Sequence, residues 1–257
     1  QTIYHAPKSM HKHTNLPNAT LQIGDGDHIA VNTGIITLSD FRQKHIAAGG
    51  EGAPLAVYGD YLLFSSDHED RIMLNIGGIA NFTYLPGNKD LAKVFSTDVG
   101  PGNTLMDQYI QHHFSGLYYD KNAKIAQQGK MNPSLLKALF CHGFFNADFP
   151  KTTGPELFNL AYLQNAQIKT GTADLNPSDV MTTLCHFSAQ AIIEAINRIP
   201  QLKDKFPFIY ISGGGMHNPL LVSLLKAGLP KAVFKTTDDL AIKADAKEAV
   251  LFALLAN

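Results

Sequence analysis

Asp98 stands where an apolar run gives way to Gly100-Pro101-Gly102 and a helix begins, in "FSTDVGPGNTLMDQYI". A carboxylate so placed is either a turn or capping aspartate or a general base. In the second role it deprotonates a hydroxyl or a water that attacks phosphorus or carbon nearby. Three glycine-rich turns stand at the ends of predicted strands: Gly77-Gly78, Gly100-Pro101-Gly102 and Gly213-Gly214-Gly215. Glycine there lets backbone N–H groups approach an anion with no Cβ in the way. The third turn leads into a helix whose free N–H groups add a positive dipole end. Any one such turn can merely end a strand, but three in one chain point to a nucleotide or phosphate site. None is a P-loop, since no Gly-Lys-Ser/Thr follows, and none has the spacing of G-x-G-x-x-G.

Other polar groups carry less information. Asp40, Arg42 and Glu51 bracket Gly49-Gly50. Arg42 could clamp a carboxylate or phosphate bidentately, or the stretch is a solvated helix with a glycine-rich exit. Glu248 is either an exposed helical charge or a residue facing a cleft, and the sequence does not choose. His11, His13, His112 and His113 lack metal-ligand spacing with other ligands and read as surface residues. G-x-S-x-G is absent, so there is no nucleophile elbow of that kind.

These groups need elements to hold them. "IMLNIGGIANFTYLP" reads as two strands joined through Gly77-Gly78, and "LQIGDGDHIAV" as a second hairpin turning on Gly-Asp-Gly-Asp. From Asn103 onward, Leu105, Met106, Tyr109 and Ile110 follow helical spacing. Asn132 and Pro133 open a helix in "MNPSLLKALF". The strongest helix is "NPSDVMTTLCHFSAQAIIEAINRI", where Val180, Leu184, Phe187, Ala191, Ile192, Ala195, Ile196 and Ile199 share one face. An apolar strand, Phe208 to Ile211, then runs into three glycines, and Asn218-Pro219 opens a helix closed by Gly228. "KAVFKTT" reads as a short strand and "DAKEAVLFALLA" as a last amphipathic helix. Hairpins first and β-α-β-α alternation later predict an α/β domain with a mixed sheet.

Composition sets bounds. At 257 residues, 45% hydrophobic and 17% charged, the chain is an ordinary globular one with ample core. A net charge of -1 gives no electrostatic case for nucleic acid or an anionic membrane. Two cysteines, Cys141 and Cys185, make no disulfide framework and suit a reducing cytosol. No apolar run approaches membrane-spanning length.

In this order, "TGIITLSDFRQKHIAAGGEGAPL", "LNIGGIANFTYL", "DVGPGNTLMDQYI", "YDKNAKIAQQGK", "PKTTGPELFN", "ISGGGMHNPLL" and "TTDDLAIKADAKEAVLFALLA" resemble the anhydro-N-acetylmuramic acid kinases of peptidoglycan recycling. The resemblance covers nearly the whole chain. It implies the ribonuclease H-like, actin and hexokinase type of fold, with two α/β lobes around an ATP cleft. It also implies a cytoplasmic enzyme that converts 1,6-anhydro-N-acetylmuramic acid, ATP and water to N-acetylmuramic acid 6-phosphate and ADP, with Mg2+ accompanying ATP. Asp98 would then activate the water that opens the anhydro ring. Asn75, Gly77 and Gly78 would form a phosphate-binding hairpin, with Gly100, Gly102 and Asn103 beside the nucleotide. Gly213, Gly214 and Gly215 would form the adenosine-side loop, and Arg42 and Glu248 would reach the sugar. No metal ligand is implied within the protein, and a homodimer is compatible. The family's first phosphate-binding loop, rich in Ser, Gly and Thr, does not precede Gln1, and its C-terminal extension does not follow the last helix. The expected division is therefore the end of a first lobe at 1–45 and a second lobe at 46–257, with the isolated polypeptide expected to be inactive. The alternatives are a non-catalytic nucleotide- or sugar-binding module, or another sugar kinase of the same superfamily.

Overall fold

A computed structural model describes residues 2–6, 8, 16–53, 55–203, 205–243 and 246–257. The chain forms two compact units, Gln1–Leu63 with Ala246–Asn257, and Phe64–Asp245. This differs from a division at 45/46: residues 46–63 and the last helix cluster with the N-terminal unit.

In the first unit, β1 (Thr2–Ala6) pairs antiparallel with β2 (Ala19–Gln22). Helices α1 (Gly26–Thr33), α2 (Phe41–Ala47) and α3 (Ala56–Phe64) follow, and α9 (Lys247–Ala256) returns to the unit from the far end of the chain. The hairpin expected at "LQIGDGDHIAV" does not form. Asp25 instead caps α1, its carboxylate accepting the N–H groups of Asp27 (2.8 Å) and His28 (3.1 Å). Asp-Gly-Asp suits a turn and a helix start equally well, because the side chain satisfies backbone donors in either. Buried Asp60 on α3 pairs with Lys247 on α9 at 2.7 Å.

The second unit is built on five strands in the order β5-β4-β3-β6-β7. Strands β3 (Arg71–Ile76), β4 (Ile79–Leu85) and β5 (Phe95–Pro101) form an antiparallel meander. Strands β6 (Phe208–Ser212) and β7 (Val233–Thr236) add in parallel on the other side of β3. Ile72, Met73, Leu74 and Ile76 are all essentially inaccessible, the signature of a central strand covered on both faces. This is the ribonuclease H-like mixed sheet with flanking helices that the resemblance implied.

The helices of this unit match the sequence periods. Helix α4 (Thr104–His113) buries Leu105, Met106, Tyr109 and Ile110. Asn132 caps α5 (Pro133–Leu139), accepting the N–H of Leu135 at 3.0 Å. After α6 (Leu160–Thr170), α7 (Pro177–Asn197) packs against β5, α4, α5 and α8 (Pro219–Gly228). Its face of Val180, Leu184, Phe187, Ala191, Ile192, Ala195 and Ile196 is buried as the spacing required. Gly228 is the last residue of α8, where the helix was expected to close. Among the described residues no helix is long and apolar enough to cross a membrane.

Candidate active site

Two glycine turns lie side by side at the carboxyl ends of parallel neighbours. Asn75 of β3 is in register with Ser212 of β6, so the chain leaves both strands at one edge of the sheet. Ligands of open α/β sheets bind at such an edge. A Cβ on Gly213, whose φ is 81°, would lie 2.6 Å from Asn75 Oδ1, and one on Gly215 would lie 2.2 Å from Ile76 Cγ2. Those two glycines let the turn after β6 press onto the end of β3. Gly214 differs: it is exposed, and its Cβ would meet only Asn103 Nδ2, at 3.7 Å. Among the described residues, the N–H groups of Gly77, Gly78 and Gly214 have no protein partner.

The third turn does other work. Gly102, Asn103 and Thr104 donate their N–H groups to the carbonyls of Gly78 (2.8 Å), Gly77 (2.9 Å) and Gly78 (3.0 Å). The amides expected to receive an anion here are spent clasping the β3–β4 turn. Gly100 and Gly102 are both buried. A Cβ on Gly100 would lie 2.9 Å from that of Ala191, and one on Gly102 would lie 2.2 Å from the Gly77 carbonyl oxygen. Packing accounts for both. Asn103 stays available at the edge: its Nδ2 donates to the Ile76 carbonyl (3.3 Å), and its side chain borders a cavity of about 690 Å³. That cavity runs along α4 past Asp107 and Gln111 to Tyr118 and Tyr119, with Gly214 on its other wall.

Asp98 lies within β5, not at its lip, because Gly100 and Pro101 still pair with Ala80 and Ile79. The register slips beside it: Asp98 faces Asn81 while Gly100 faces Ala80, leaving Val99 as an extra, bulged residue. Bulges re-aim a neighbouring side chain. The partners of Asp98 come from the segment after Pro150, not from the helix start. Its N–H donates to the Lys151 carbonyl (2.9 Å) and its Oδ2 accepts the Thr153 N–H (2.9 Å). Burial raises its carboxyl to about 6; the Thr153 bond partly opposes this, and the charge of Glu156 adds to it. Such a group is ionised at neutral pH yet basic enough to take a proton. The Thr153 hydroxyl is buried beside it with no hydrogen-bond partner among the described residues.

The sugar candidates lie on the other unit. Arg42, on α2, is half-buried and donates from Nη1 to the Gly52 carbonyl (2.8 Å), so it braces the glycine-rich exit. Glu248 is exposed in the first turn of α9. His112 and His113 end α4, where His113 stacks on Tyr109; His11 and His13 lie outside the described residues. Among the described residues no group of three or more His, Cys, Asp or Glu is placed to hold a metal ion.

The family model of anhydro-N-acetylmuramic acid kinase matches residues 1–257. The chain belongs to that family. It is 57% identical to the anhydro-N-acetylmuramic acid kinase of Pseudoalteromonas atlantica over 258 residues, covering 100% of this chain and 64% of that protein. It is 43% identical to the Pasteurella multocida anhydro-N-acetylmuramic acid kinase over 256 residues, with 100% and 64% covered. The chain thus spans about 64% of the length of these curated relatives. A solved structure of the activator of 2-hydroxyisocaproyl-CoA dehydratase from Clostridium difficile, with ADPNP bound, is similar at 14% identity and a TM-score of 0.47. That likeness covers 79% of this chain and 64% of that one.

Lys151, Thr153 and Glu156 did not emerge as site residues from reading the sequence. They follow Asp98 by more than fifty positions, and the one sequence signal that held them was the family block "PKTTGPELFN".

Proposed function

We propose that this chain carries the base and the nucleotide side of a kinase that turns 1,6-anhydro-N-acetylmuramic acid, ATP and water into N-acetylmuramic acid 6-phosphate and ADP. The setting would be cytoplasmic peptidoglycan recycling. The observation that carries this reading is Asp98: in a chain of this family, a half-buried carboxyl near pKa 6 sits on the strand whose end is clasped by the Gly77-Gly78 turn. From Asp98 to Gly102 is at most about 13 Å of extended chain, a span that holds a sugar and the phosphate it accepts.

In this mechanism Asp98 takes a proton from water as the water oxygen bonds to C1 of the sugar. The C1–O6 bond breaks and its electron pair passes to O6. O6 then bonds to the γ-phosphorus, and ADP departs with the pair of the broken P–O bond. The proton on Asp98 leaves to solvent. The unpartnered N–H groups of Gly77 and Gly78 would receive phosphate oxygens, as strand-end nests do, and that of Gly214, on the adenosine-side loop, would lie where the adenosine joins its phosphates. The 690 Å³ cavity has the size of a small-molecule site and would take the adenosine. Asn75 lies between the two turns, Asn103 borders nucleotide, and Gly213 and Gly215 set the loop's approach. We assign Gly100 and Gly102 to holding the clasp. Arg42 and Glu248 would bind sugar. Mg2+ is bound in such sites largely by phosphates and water, with few carboxylates, and would arrive with ATP.

The test is turnover in ¹⁸O-water. Label in the C1 hydroxyl and none in the phosphate is expected. Label in inorganic phosphate would mean plain ATP hydrolysis, and a product with its anhydro ring intact would mean an ordinary sugar kinase. Sedimentation of the same preparation checks the homodimer.

A further inference from the structure

The cavity proposed for the nucleotide contains two acids, Asp107 and Asp120, that the reaction above does not use. Asn103, at the N-cap of α4, and Asp107 and Gln111 within it stand four residues apart, and all three border the cavity. At 1.5 Å per residue, each step is about 6 Å along the helix. The Asn103 end adjoins Gly214, whose N–H has no protein partner among the described residues and would serve the phosphate end of the nucleotide. The Gln111 end adjoins Tyr118 and Tyr119, which are 77% and 57% exposed and offer flat apolar surface for a base. Asp107 lies between the two ends.

The two acids of the cavity differ. Asp120 is spoken for, accepting the N–H groups of Ile125 (3.0 Å) and Ala126 (2.9 Å). Asp107 has no side-chain hydrogen bond or ion pair among the described residues, although it is half-buried and burial raises its carboxyl to about 6. A partly desolvated carboxylate without donors is unfavourable; Lys121 and His217 border the same cavity, but among the described residues neither pairs with Asp107. The missing partner is a ligand that supplies hydroxyl donors midway between its phosphates and its base.

We propose that Asp107 reads the ribose of the nucleotide, its carboxylate accepting hydrogen bonds from the 2′- and 3′-hydroxyls. An acid on the ribose hydroxyls is a recurrent way to recognise a nucleotide. The inference rests on the kinase reading and adds to it a residue that separates ribonucleotides from deoxyribonucleotides. Hydrogen bonds to a charged group are worth about 10- to 100-fold in binding.

Calorimetry of Mg-ATP, Mg-2′-deoxy-ATP and Mg-3′-deoxy-ATP binding to the full chain tests this. Wild type should bind ATP about 10-fold or more tighter than either deoxy form. In Asp107→Ala the ATP affinity should fall to that of the deoxy forms, which should themselves change little. Asp107→Asn, nearly isosteric, should fall between, and its circular dichroism shows whether the fold is kept. Equal binding of ATP and both deoxy forms by wild type would overturn the proposal while leaving the kinase reading intact. So would an equal loss for all three nucleotides in both variants, which would make Asp107 a helix-start acid only. No binding of any nucleotide by wild type would overturn the proposal and the kinase reading together.

Discussion

Helix α7 of the second unit buries a continuous apolar face, whereas α1 and α2 of the first unit bury no residue at all. Around α1, Val31 is 84% exposed and Ile36 92% exposed. Among the described residues the first unit has a two-stranded sheet and the buried Asp60–Lys247 ion pair; the second has a five-stranded sheet with inaccessible Ile72, Leu74 and Phe82. A two-stranded ribbon has little stability of its own, while three or more strands under helices do. The contrast also divides the residues proposed above between two kinds of scaffold. Asp98 and the glycine turns are fixed by the well-packed unit, and Arg42 and Glu248 belong to the sparsely packed one.

The largest effect should follow from that division. Asp98→Asn keeps the shape and an acceptor for the Thr153 N–H but removes the base, so turnover in an active preparation should fall about 10²–10⁴-fold. Arg42→Lys and Glu248→Gln should cost less, since the role proposed for these two is to bind the sugar and not to transfer a proton. Steady-state ADP release with 1,6-anhydro-N-acetylmuramic acid measures all three. A larger loss at Arg42 or Glu248 than at Asp98 would reverse the ranking of the two regions.

Next in size is the core itself. Phe187 is fully buried on α7 among Phe140, Phe145, Phe158 and Tyr162. Phe187→Ala should destabilise the second unit by about 3–5 kcal/mol, read as a shifted denaturation midpoint. A change below about 1 kcal/mol would mean that the aromatic cluster is not what holds α7.

The same contrast explains what could be read from the sequence. The α7 face, the Asn132 cap and the β3–β4 hairpin were legible because their signals are local: a 3.6-residue period, a side chain reaching three residues on, and a glycine pair between β-branched arms. Asp25 misled because its hydrogen bonds are local in either outcome. At Asp98 the residue was legible but its surroundings were not. Thr153 and Lys151 reach it through the fold, and no spacing announces a contact across more than fifty residues. The glycines divided in the same way. That they end strands is written in the sequence; that Gly102 and Gly215 are pinned by Gly77 and Ile76 while Gly214 stays open is a fact of packing.

A smaller effect concerns pH. The Asp98 carboxyl is raised above its unfolded value, so between about pH 4 and pH 6 the folded state holds more protons than the unfolded one. This group therefore lowers stability as pH rises through that window, and above it the cost is fully present. Two pKa steps at about 1.4 kcal/mol each, reduced for partial exposure, give about 2 kcal/mol. Asp98→Asn should raise the thermal midpoint at pH 8 and change it little at pH 4. Stabilisation with lost turnover is the mark of a functional group held at a cost to the fold. A variant destabilised equally at both values would instead make Asp98 a structural acceptor for Thr153.

The smallest effect is expected at Ile36. It is a β-branched residue 92% exposed in the first unit, outside any helix or strand, and its side chain loses almost no water contact on folding. Stability should therefore change by less than about 0.5 kcal/mol on Ile36→Ser, against several for Phe187→Ala. Exposed apolar groups favour association with other apolar surface, so the same change should lower binding of a hydrophobic dye and any concentration-dependent sedimentation. The two readouts decide different things. An unchanged midpoint with reduced dye binding is the expected result and confirms that this side chain faces water. A loss of about 2 kcal/mol or more would show that Ile36 is packed in solution, and the first unit would then have a core that its exposed residues conceal.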